Sequence, residues 1–193
     1  MYEYLTGKIV QLTPTYVVLD NYGIGYQLQC TLSTYSALQH GMDVTLYTHL
    51  IVREDAHLLY GFFKKEERET FRLLISVSGI GPNTARVILS SLSPSELTQA
   101  IVSANVSVLK QVKGIGLKTA ERVIVDLRDK IGKAVSESNI FSPKDNTKRE
   151  EALSALIRLG FTKNASEKAL DKVLTEMPGE PVDVIIKQTL KYL

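Results

Sequence analysis

Two nine-residue stretches decide how this sequence folds: residues 77–85, VSGIGPNTA, and residues 112–120, VKGIGLKTA. Both follow the pattern V-x-G-I-G-x-x-T-A, and their first glycines are Gly79 and Gly114. Apolar residues recur at three- and four-residue spacing around each copy, which predicts helices. Each copy is therefore predicted to be the turn of a helical hairpin, with its isoleucine pointing into the core.

A G-I-G turn in front of a helix favours the binding of anions. The glycines let another molecule approach closely because no Cβ is in the way, and the first helical turn carries backbone N–H groups without intrahelical acceptors. These groups and the positive end of the helix dipole favour phosphate. One such turn is also an ordinary helix connection, but two copies in register favour phosphate binding.

Basic residues accompany the second copy. Lys118 and Arg122 are four residues apart and therefore share a helix face, where they are suited to follow a phosphate backbone. Side chains suited to reading base edges are not evident near either turn. We therefore expect binding that depends on DNA shape more than on base sequence.

Charge is unevenly distributed along the 193 residues, although the net charge is only +2. Residues 1–62 contain two Lys or Arg against five Asp or Glu, whereas residues 63–133 contain twelve against seven. An acidic module thus precedes a basic one, which fits a nucleic acid partner for the second module. The sequence shows no long apolar run and no signal-like start, so we expect a cytoplasmic protein that does not enter a membrane.

The first 62 residues are predicted to form a small β-barrel. Apolar alternation and β-branched or aromatic residues predict strands at 4–12, 16–19, 26–32, 44–52 and 57–62, with a helical turn at 34–38. Cys30 falls in the third of these strands and is expected to be buried. Five short strands with a brief helix fit a closed barrel of the OB type better than a sandwich.

Helical periods dominate the rest of the chain, so the fold class is multi-domain, β then α. Residues 63–133 are predicted as an all-α tandem hairpin domain, with a capping box at 93–96, SPSE. Residues 134–147 are polar and are predicted to be a flexible linker. Residues 148–193 are predicted to form three helices, with further capping boxes at 147–150 and 164–167, Gly160 ending the first helix and Pro181 opening the third.

Several kinds of catalytic site are disfavoured. G-I-G-L-K-T lacks the spacing of a nucleotide-binding P-loop, and the hairpin region has no cluster of carboxylates for nuclease metals. His40, His49 and His57 are scattered, and the lone Cys30 is a poor nucleophile candidate. We expect neither a metal nor a cofactor.

The paired G-I-G turns resemble the helix-hairpin-helix family, and the whole chain resembles the RuvA family of Holliday-junction-binding proteins. Further support comes from residues 52–56, VREDA, residues 58–62, LLYGF, residues 118–122, KTAER, and residues 155–161, ALIRLGF. The resemblance covers all three modules in the expected order. It implies an OB barrel, a DNA-binding hairpin domain and a mobile three-helix domain that resembles ubiquitin-associated domains.

The resemblance also implies roles for individual residues. The glycines of both turns, Lys118 and Arg122 would contact phosphates, and Glu54 and Asp55 would form an acidic pin at the centre of the junction. Asn83 departs from the family pattern, which usually has a lysine there, so Arg86 is a candidate to compensate. The complete predicted phosphate-binding set is Gly79, Gly81, Asn83, Thr84, Arg86, Gly114, Gly116, Lys118, Thr119 and Arg122.

The implied partners are four-way junction DNA and the RuvB hexameric ATPase, which would supply the energy for branch migration in recombination and DNA repair. The chain itself would be a non-catalytic homotetramer, with an octamer on DNA as the alternative. RuvC resolvase is a further candidate partner, and the motor-binding residues within 148–193 are not identified by sequence.

The sequence is compatible with two other functions. The second turn also resembles the hairpin of DNA glycosylase/lyases, in which Lys118 would be the nucleophile that forms a Schiff base. Nearby acids, Glu121, Asp126 and Asp129, lie on the same predicted helix as Lys118 and do not supply the separate loop aspartate of that family. A generic adaptor is the third hypothesis, since residues 159–161, LGF, in a three-helix unit resemble ubiquitin-associated domains. The alternative is that Leu156, Leu159 and Phe161 form the core of this small module, which is compatible with a partner surface elsewhere on it.

Overall fold

The structure, a computed structural model, describes residues 2–138 and 145–193, with side chains outside 129–138 and 145–147. The chain divides into two compact units, Met1–Ser136 and Glu137–Leu193. The strands of the first unit are β1 (Tyr4–Leu12), β2 (Tyr16–Asn21), β3 (Ile24–Gln29), β4 (Asp43–Val52) and β5 (His57–Phe62). Its helices are α1 (Leu32–Ser36), α2 (Lys65–Ile75), α3 (Pro82–Ser91), α4 (Pro94–Val102), α5 (Val106–Lys110) and α6 (Leu117–Ser138). The second unit contains α7 (Asp145–Arg158), α8 (Lys163–Glu176) and α9 (Val182–Thr189).

The strands close into a barrel in the order β1-β2-β3-β5-β4. Neighbouring strands are antiparallel except β3 and β5, which meet in parallel at Gln29 and Tyr60. Inward side chains such as Val44 and Leu46 alternate with exposed ones, as a half-buried strand requires. A Cβ on Gly7 would lie 2.0 Å from the Asp20 carbonyl oxygen, so β1 and β2 approach too closely there for any other residue. The predicted OB-type barrel is confirmed.

Several element ends in the barrel differ from the prediction: β2 extends to Asn21 instead of residue 19, and β3 begins at Ile24 instead of residue 26. Strand β3 ends at Gln29, so Cys30 lies just beyond the strand rather than within it, although it is buried as expected. Helix α1 begins at Leu32, two residues earlier than predicted, because the Thr31 hydroxyl accepts a hydrogen bond from the Thr34 N–H and caps the helix.

The barrel and the helices of the first unit share a core. Tyr60 and Phe62 belong to β5, yet both rings pack against Phe71 of α2, each with a ring-centroid separation of 5.0 Å. The same buried cluster extends through the hairpins to Leu127 of α6. The hairpin helices therefore continue the packing of the barrel.

A buried arginine strengthens this connection. Arg68 of α2 is 1% exposed, and its guanidinium donates to the Glu3 backbone oxygen at 2.8 Å. It also pairs with the carboxylates of Glu3 at 2.5 Å and Glu69 at 2.8 Å, and it lies 5.5 Å from the centre of the Tyr47 ring. These contacts hold α2 against β4 and against Glu3, the residue that precedes β1.

Several predicted helix ends can be compared with the structure. The capping box at Ser93 is confirmed, since its hydroxyl accepts from the Glu96 N–H while the Glu96 carboxylate accepts from the Ser93 N–H. The predicted box at Asn164 is wrong, because α8 begins at Lys163 and its N-cap residue is Thr162. Thr147 also is not an N-cap, because α7 already begins at Asp145; the Thr147 side chain lies outside the described residues.

Part of the predicted linker, residues 134–147, is helical. Helix α6 continues to Ser138 and α7 begins at Asp145, so residues 134–138 and 145–147 are helical. Residues 139–144, the remainder of the predicted linker, lie outside the described residues.

The second unit is a three-helix bundle, as predicted. Its core contains Ala152, Leu170, Val173 and Ile185. Gly160 adopts a φ of +102° two residues after α7 ends, which confirms its role as a helix stop. Of the three residues considered for the core, Leu156 is buried, but Leu159 is 60% exposed and Phe161 is only partly buried.

Candidate nucleic-acid interface

The first hairpin joins α2 to α3 through residues 76–81. Gly79 has a φ of +91°, and the Ile80 N–H donates to the Val77 carbonyl at 3.0 Å, which closes the turn. Gly81 is the N-cap of α3, and its carbonyl accepts the first helical hydrogen bond from Ala85 at 2.9 Å. Ile80 is buried, so the apolar residue between the glycines anchors the turn to the core.

The second hairpin repeats this geometry between α5 and α6. Gly114 has a φ of +90°, the Ile115 N–H donates to the Val112 carbonyl at 3.1 Å, and the Ala120 N–H donates to the Gly116 carbonyl at 3.0 Å. Ile115 is buried in the same cluster as Ile80. Both turns are therefore held at the surface of one module by one core, and the predicted inward direction of the isoleucines is confirmed.

The two glycines of each turn are needed for different reasons. Gly79 and Gly114 have left-handed backbone conformations that other residues adopt only with strain. Gly81 and Gly116 do not, and a Cβ at either position would meet no atom of the described chain within 4 Å. Nothing within the described chain explains glycine at these two positions. A molecule that approaches the backbone from outside would explain both.

The first turns of α3 and α6, which follow Gly81 and Gly116, present backbone N–H groups. Gly81 has no side chain to cap α3, and Pro82 has no N–H, so the nearest first-turn donors are the amides of Asn83 and Thr84. In the second hairpin the amides of Lys118 and Thr119 occupy the corresponding positions at the start of α6. With the positive end of each helix dipole, these amides form a site that suits a phosphate oxygen.

Positive side chains surround the second site. Lys118 is exposed, and Arg122 is 56% exposed with its Nε 4.0 Å from an Asp126 carboxylate oxygen, a long and solvent-accessible pair. Lys113, which sequence reasoning did not select, is exposed directly before Gly114, where the first hairpin has Ser78. The sequence offered one indication of this role: Lys113 occupies the variable position of the V-x-G motif, next to the glycine of the turn.

Arg86 is placed differently from the prediction. Its Nη1 atom donates to the Gln29 side-chain oxygen at 2.7 Å and to the Thr15 carbonyl at 3.1 Å, and both acceptors belong to the barrel. These contacts direct the guanidinium to the barrel and away from the role expected for it in compensating for Asn83. Asn83 itself is exposed at the start of α3.

Glu54 and Asp55 lie in the turn between β4 and β5. The Arg53 N–H donates to the Ala56 carbonyl at 2.8 Å and closes the turn, and both acidic side chains are exposed. The structure of one chain is compatible with an ordinary acidic turn as well as with a pin. The role of this pair in an assembly stays a prediction.

The remaining candidates for chemistry lie apart from the hairpins. Burial raises the pKa of Cys30 to about 11, so its thiol is protonated at neutral pH and is a weak nucleophile. Burial, with the nearby Arg72 and Arg68 charges, lowers the pKa of His49, whose Nδ1 lies 3.4 Å from the Arg72 Nε. Among the described residues, no group of three or more His, Cys, Asp or Glu side chains is arranged to hold a metal ion. Over the same residues, no helix has the length and apolar character needed to cross a membrane.

Comparisons with known families match three consecutive parts of the chain. The family described as "RuvA N terminal domain" matches residues 1–61, "SAM-like Helix-hairpin-helix tandem" matches 71–129, and "RuvA, C-terminal domain" matches 147–193. A protein of Christiangramia forsetii is 50% identical over 193 residues and one of Flavobacterium psychrophilum 47% identical over 193, each covering all of both chains. A protein of Bacteroides fragilis is 49% identical over 201 aligned positions, again covering both chains completely. All three are named "Holliday junction branch migration complex subunit RuvA".

A closed barrel followed by tandem G-I-G hairpins defines a class of DNA-binding helix-hairpin-helix proteins. Identity near 50% over the full length places the chain within that class without ambiguity: it belongs to the RuvA family. The names of these relatives fit the junction-binding hypothesis better than the glycosylase/lyase hypothesis.

Proposed function

We propose that this chain binds four-way DNA junctions without regard to base sequence, holds them open and recruits the RuvB ATPase for branch migration in the bacterial cytoplasm. It acts as a DNA-binding subunit, and the motor supplies the energy. The assembly is a homotetramer in which each chain contributes two hairpins. The proposal rests on the residues described above and on the names of the relatives.

The observation that carries the proposal is the pair of glycines, Gly81 and Gly116. Each precedes a helix start, each leaves open space where a Cβ would be, and neither needs a left-handed backbone. Two copies of this arrangement in one module suit two phosphates of one DNA arm. Phosphate contacts of this kind position a protein on DNA and carry no base information, which fits a substrate recognised by shape.

The barrel and the last unit complete the proposal. The exposed Glu54 and Asp55 would gather around the four-fold axis, where the DNA strands exchange, and their charge would oppose a continuous duplex there. Residues 148–193 would contact the motor. That unit exposes Ile157 and Leu159, which offer apolar surface to a protein partner. Ile157 also lines an open groove of about 570 Å³ between α7 and α8, whose lining residues are mostly charged or polar.

A comparison of two DNAs tests the proposal. The full-length protein is titrated against a labelled four-way junction and against linear duplexes of the same sequences, and binding is followed by gel shift and by anisotropy. We expect the junction to bind at least about tenfold more tightly, a difference of about 1.4 kcal/mol. Shuffled base sequences with the same geometry should bind equally well. Equal affinity for the junction and the duplex would contradict the proposal.

A further inference from the structure

Arg86 lies on the helix of the first hairpin but makes its hydrogen bonds to the barrel. Its Nη1 atom bridges the Gln29 side-chain oxygen and the Thr15 carbonyl, at 2.7 and 3.1 Å. Both acceptors are neutral, and the described residues contain no carboxylate in an ion pair with Arg86. The charged guanidinium of Arg86 thus donates a short hydrogen bond to Gln29, which joins α3 to β3.

A second contact lies one helical turn further along α3. The Ser90 hydroxyl accepts a hydrogen bond from the Leu32 N–H at 3.0 Å and donates one to the Arg86 carbonyl at 2.7 Å. Arg86 and Ser90 therefore share one face of α3, and this face docks on the end of β3 and the start of α1. Two successive turns of the helix are held in this way, which fixes the direction of its axis as well as its position.

Helix α2, on the other side of the first hairpin, is attached to the same barrel segment. Glu67 is 3% exposed, and its two carboxylate oxygens accept hydrogen bonds from Thr31 at 2.5 Å and Thr34 at 2.8 Å. Both helices that flank the turn are consequently tied to residues 29–34. The first G-I-G turn is held relative to the barrel from both sides.

This attachment determines where the first phosphate site lies. Gly81, the N-cap of α3, lies five positions before Arg86, so a rotation of α3 about its contact with the barrel would move the amides of Asn83 and Thr84. The barrel also carries the exposed turn with Glu54 and Asp55. The distance and angle between a bound DNA arm and this acidic turn therefore depend on the contact between α3 and the barrel.

We propose that Arg86 is a positioning residue that sets junction selectivity by fixing the first hairpin against the barrel through Gln29 and Thr15, and that it does not contact phosphate. This inference rests on the proposed junction-binding function. It predicts that loss of Arg86 changes the preference between DNA shapes while leaving the number of phosphate contacts unchanged.

The salt dependence of binding separates these two roles. The logarithm of the binding constant for duplex DNA falls with the logarithm of salt concentration, with a slope of about −0.9 for each phosphate contact. Linear duplex binding is measured at several salt concentrations for wild type, Arg86→Ala and Arg122→Ala. We expect Arg122→Ala to reduce the slope by about one unit. Arg86→Ala should keep the wild-type slope, while its junction-to-duplex preference falls several-fold.

Gln29→Ala is the matched variant, since it removes the acceptor without changing any charge. It should lower junction preference in the same direction as Arg86→Ala, and the double variant should be no worse than Arg86→Ala alone because the two residues form one contact. Arg86→Lys, which keeps the charge but can satisfy fewer acceptors, should recover part of the preference. Thermal unfolding of each variant checks that the fold is retained.

Two results would overturn the inference. One is a slope reduction in Arg86→Ala equal to that in Arg122→Ala, which would make Arg86 a phosphate contact. The other is full junction preference in both Arg86→Ala and Gln29→Ala. A wild-type protein that does not prefer junctions would instead refute the proposed function, and the slopes together with the Arg86–Gln29 coupling measured by unfolding would still decide whether Arg86 acts through the barrel.

Discussion

Gly79 and Gly81 lie two positions apart but have different requirements, and this difference allows folding and DNA binding to be tested separately. Gly79→Ala places a side chain on a backbone with a φ of +91°, which should lower the free energy of unfolding by about 1–3 kcal/mol. Gly81→Ser adds a favoured N-cap residue in open space and should leave stability unchanged or slightly raised. Duplex and junction binding should nevertheless weaken about tenfold or more in Gly81→Ser, because the side chain obstructs the approach of phosphate.

Urea unfolding and anisotropy titrations of the same preparations measure both effects. Gly116→Ser provides the equivalent change in the second hairpin and should behave similarly. Undiminished DNA affinity in both serine variants would show that these glycines do not admit a ligand.

Glu67 offers a test based on pH. Burial raises the pKa of this carboxyl, while the hydrogen bonds from Thr31 and Thr34 lower it in part, and the net shift is upward from 4.5. The folded protein therefore holds this proton more tightly than the unfolded chain. The contribution of Glu67 to stability is present in full below pH 4.5 and is lost as pH rises through the raised pKa.

Replacing Glu67 with Gln removes this titration. The stability of wild type relative to Glu67→Gln should therefore fall as pH rises from 4.5 to neutral. Urea unfolding of both proteins across this range gives the difference, in which groups common to both proteins cancel. Glu66→Gln, an exposed substitution on the same helix that removes the same charge, is the matched control. If the stability difference between wild type and Glu67→Gln does not change with pH, the raised pKa of Glu67 is contradicted.

The role of a residue could be predicted from the sequence where that role depends on residues nearby in the chain. The glycine turns depend on backbone conformation within a few residues, and the repeated motif was sufficient to predict them. Arg86 depends on Thr15 and Gln29, which are 71 and 57 positions away in sequence. Helical periodicity gives the face on which Arg86 lies but not the element that packs there. The sequence therefore suggested Arg86 as a phosphate contact that compensates for Asn83 and gave no sign of its hydrogen bonds to the barrel.

At the scale of elements, a helix end could be predicted where several neighbouring residues indicate the same position. The Ser93 cap was correct because Pro94 and Glu96 both reinforce it. The start of α8 was not, because Thr162 and Asn164 are both good capping residues and apolar spacing does not distinguish a shift of two positions. Helix α6 passes through Gly132 and continues into the predicted linker, since one glycine costs a long helix only about 1 kcal/mol.

The turn between β4 and β5 can be tested as a separate element. Its two acidic residues are exposed and the turn is closed by the backbone hydrogen bond from Arg53 to Ala56, so Glu54→Gln with Asp55→Asn should not disturb the fold. One pair of unit charges at 4 Å in water interacts by only about 1 kcal/mol. In the proposed tetramer, four copies of this acidic pair around the four-fold axis, within a Debye length of about 8 Å, would together penalise a continuous duplex by on the order of a few kcal/mol.

The double variant should therefore bind linear duplex more tightly while its affinity for the open junction changes less. Its junction-to-duplex ratio should fall, and the effect should shrink as salt concentration rises. Parallel titrations at low and moderate salt provide the measurement, and Asp43→Asn, an exposed acidic change elsewhere on the barrel, is the control. A wild-type ratio at low salt would show that Glu54 and Asp55 are only a turn.

At the scale of the whole molecule, the chain divides into two compact units, and the proposed function assigns DNA binding to the first and motor binding to the second. The buried clusters of the first unit run through the barrel and the hairpins as far as Leu127, and neither includes a residue from α7, α8 or α9. The second unit has its own core around Leu170 and Ile185. Each unit thus buries its own apolar surface, so removal of the second leaves the core of the first intact.

A fragment of residues 1–144, which ends before α7, should therefore fold and bind four-way junctions with an affinity within about tenfold of the full chain, a difference below 1.4 kcal/mol. The phosphate sites at Gly81 and Gly116 and the basic side chains Lys118 and Arg122 all remain in it. Stimulation of the RuvB ATPase on junction DNA should be lost, because the proposed motor contact lies in the deleted unit. Gel shifts and coupled ATPase assays on the same preparations give both quantities. If the fragment still stimulates the motor, the partner surface lies in the first unit; if it fails to bind junctions although it is folded, the second unit takes part in holding DNA.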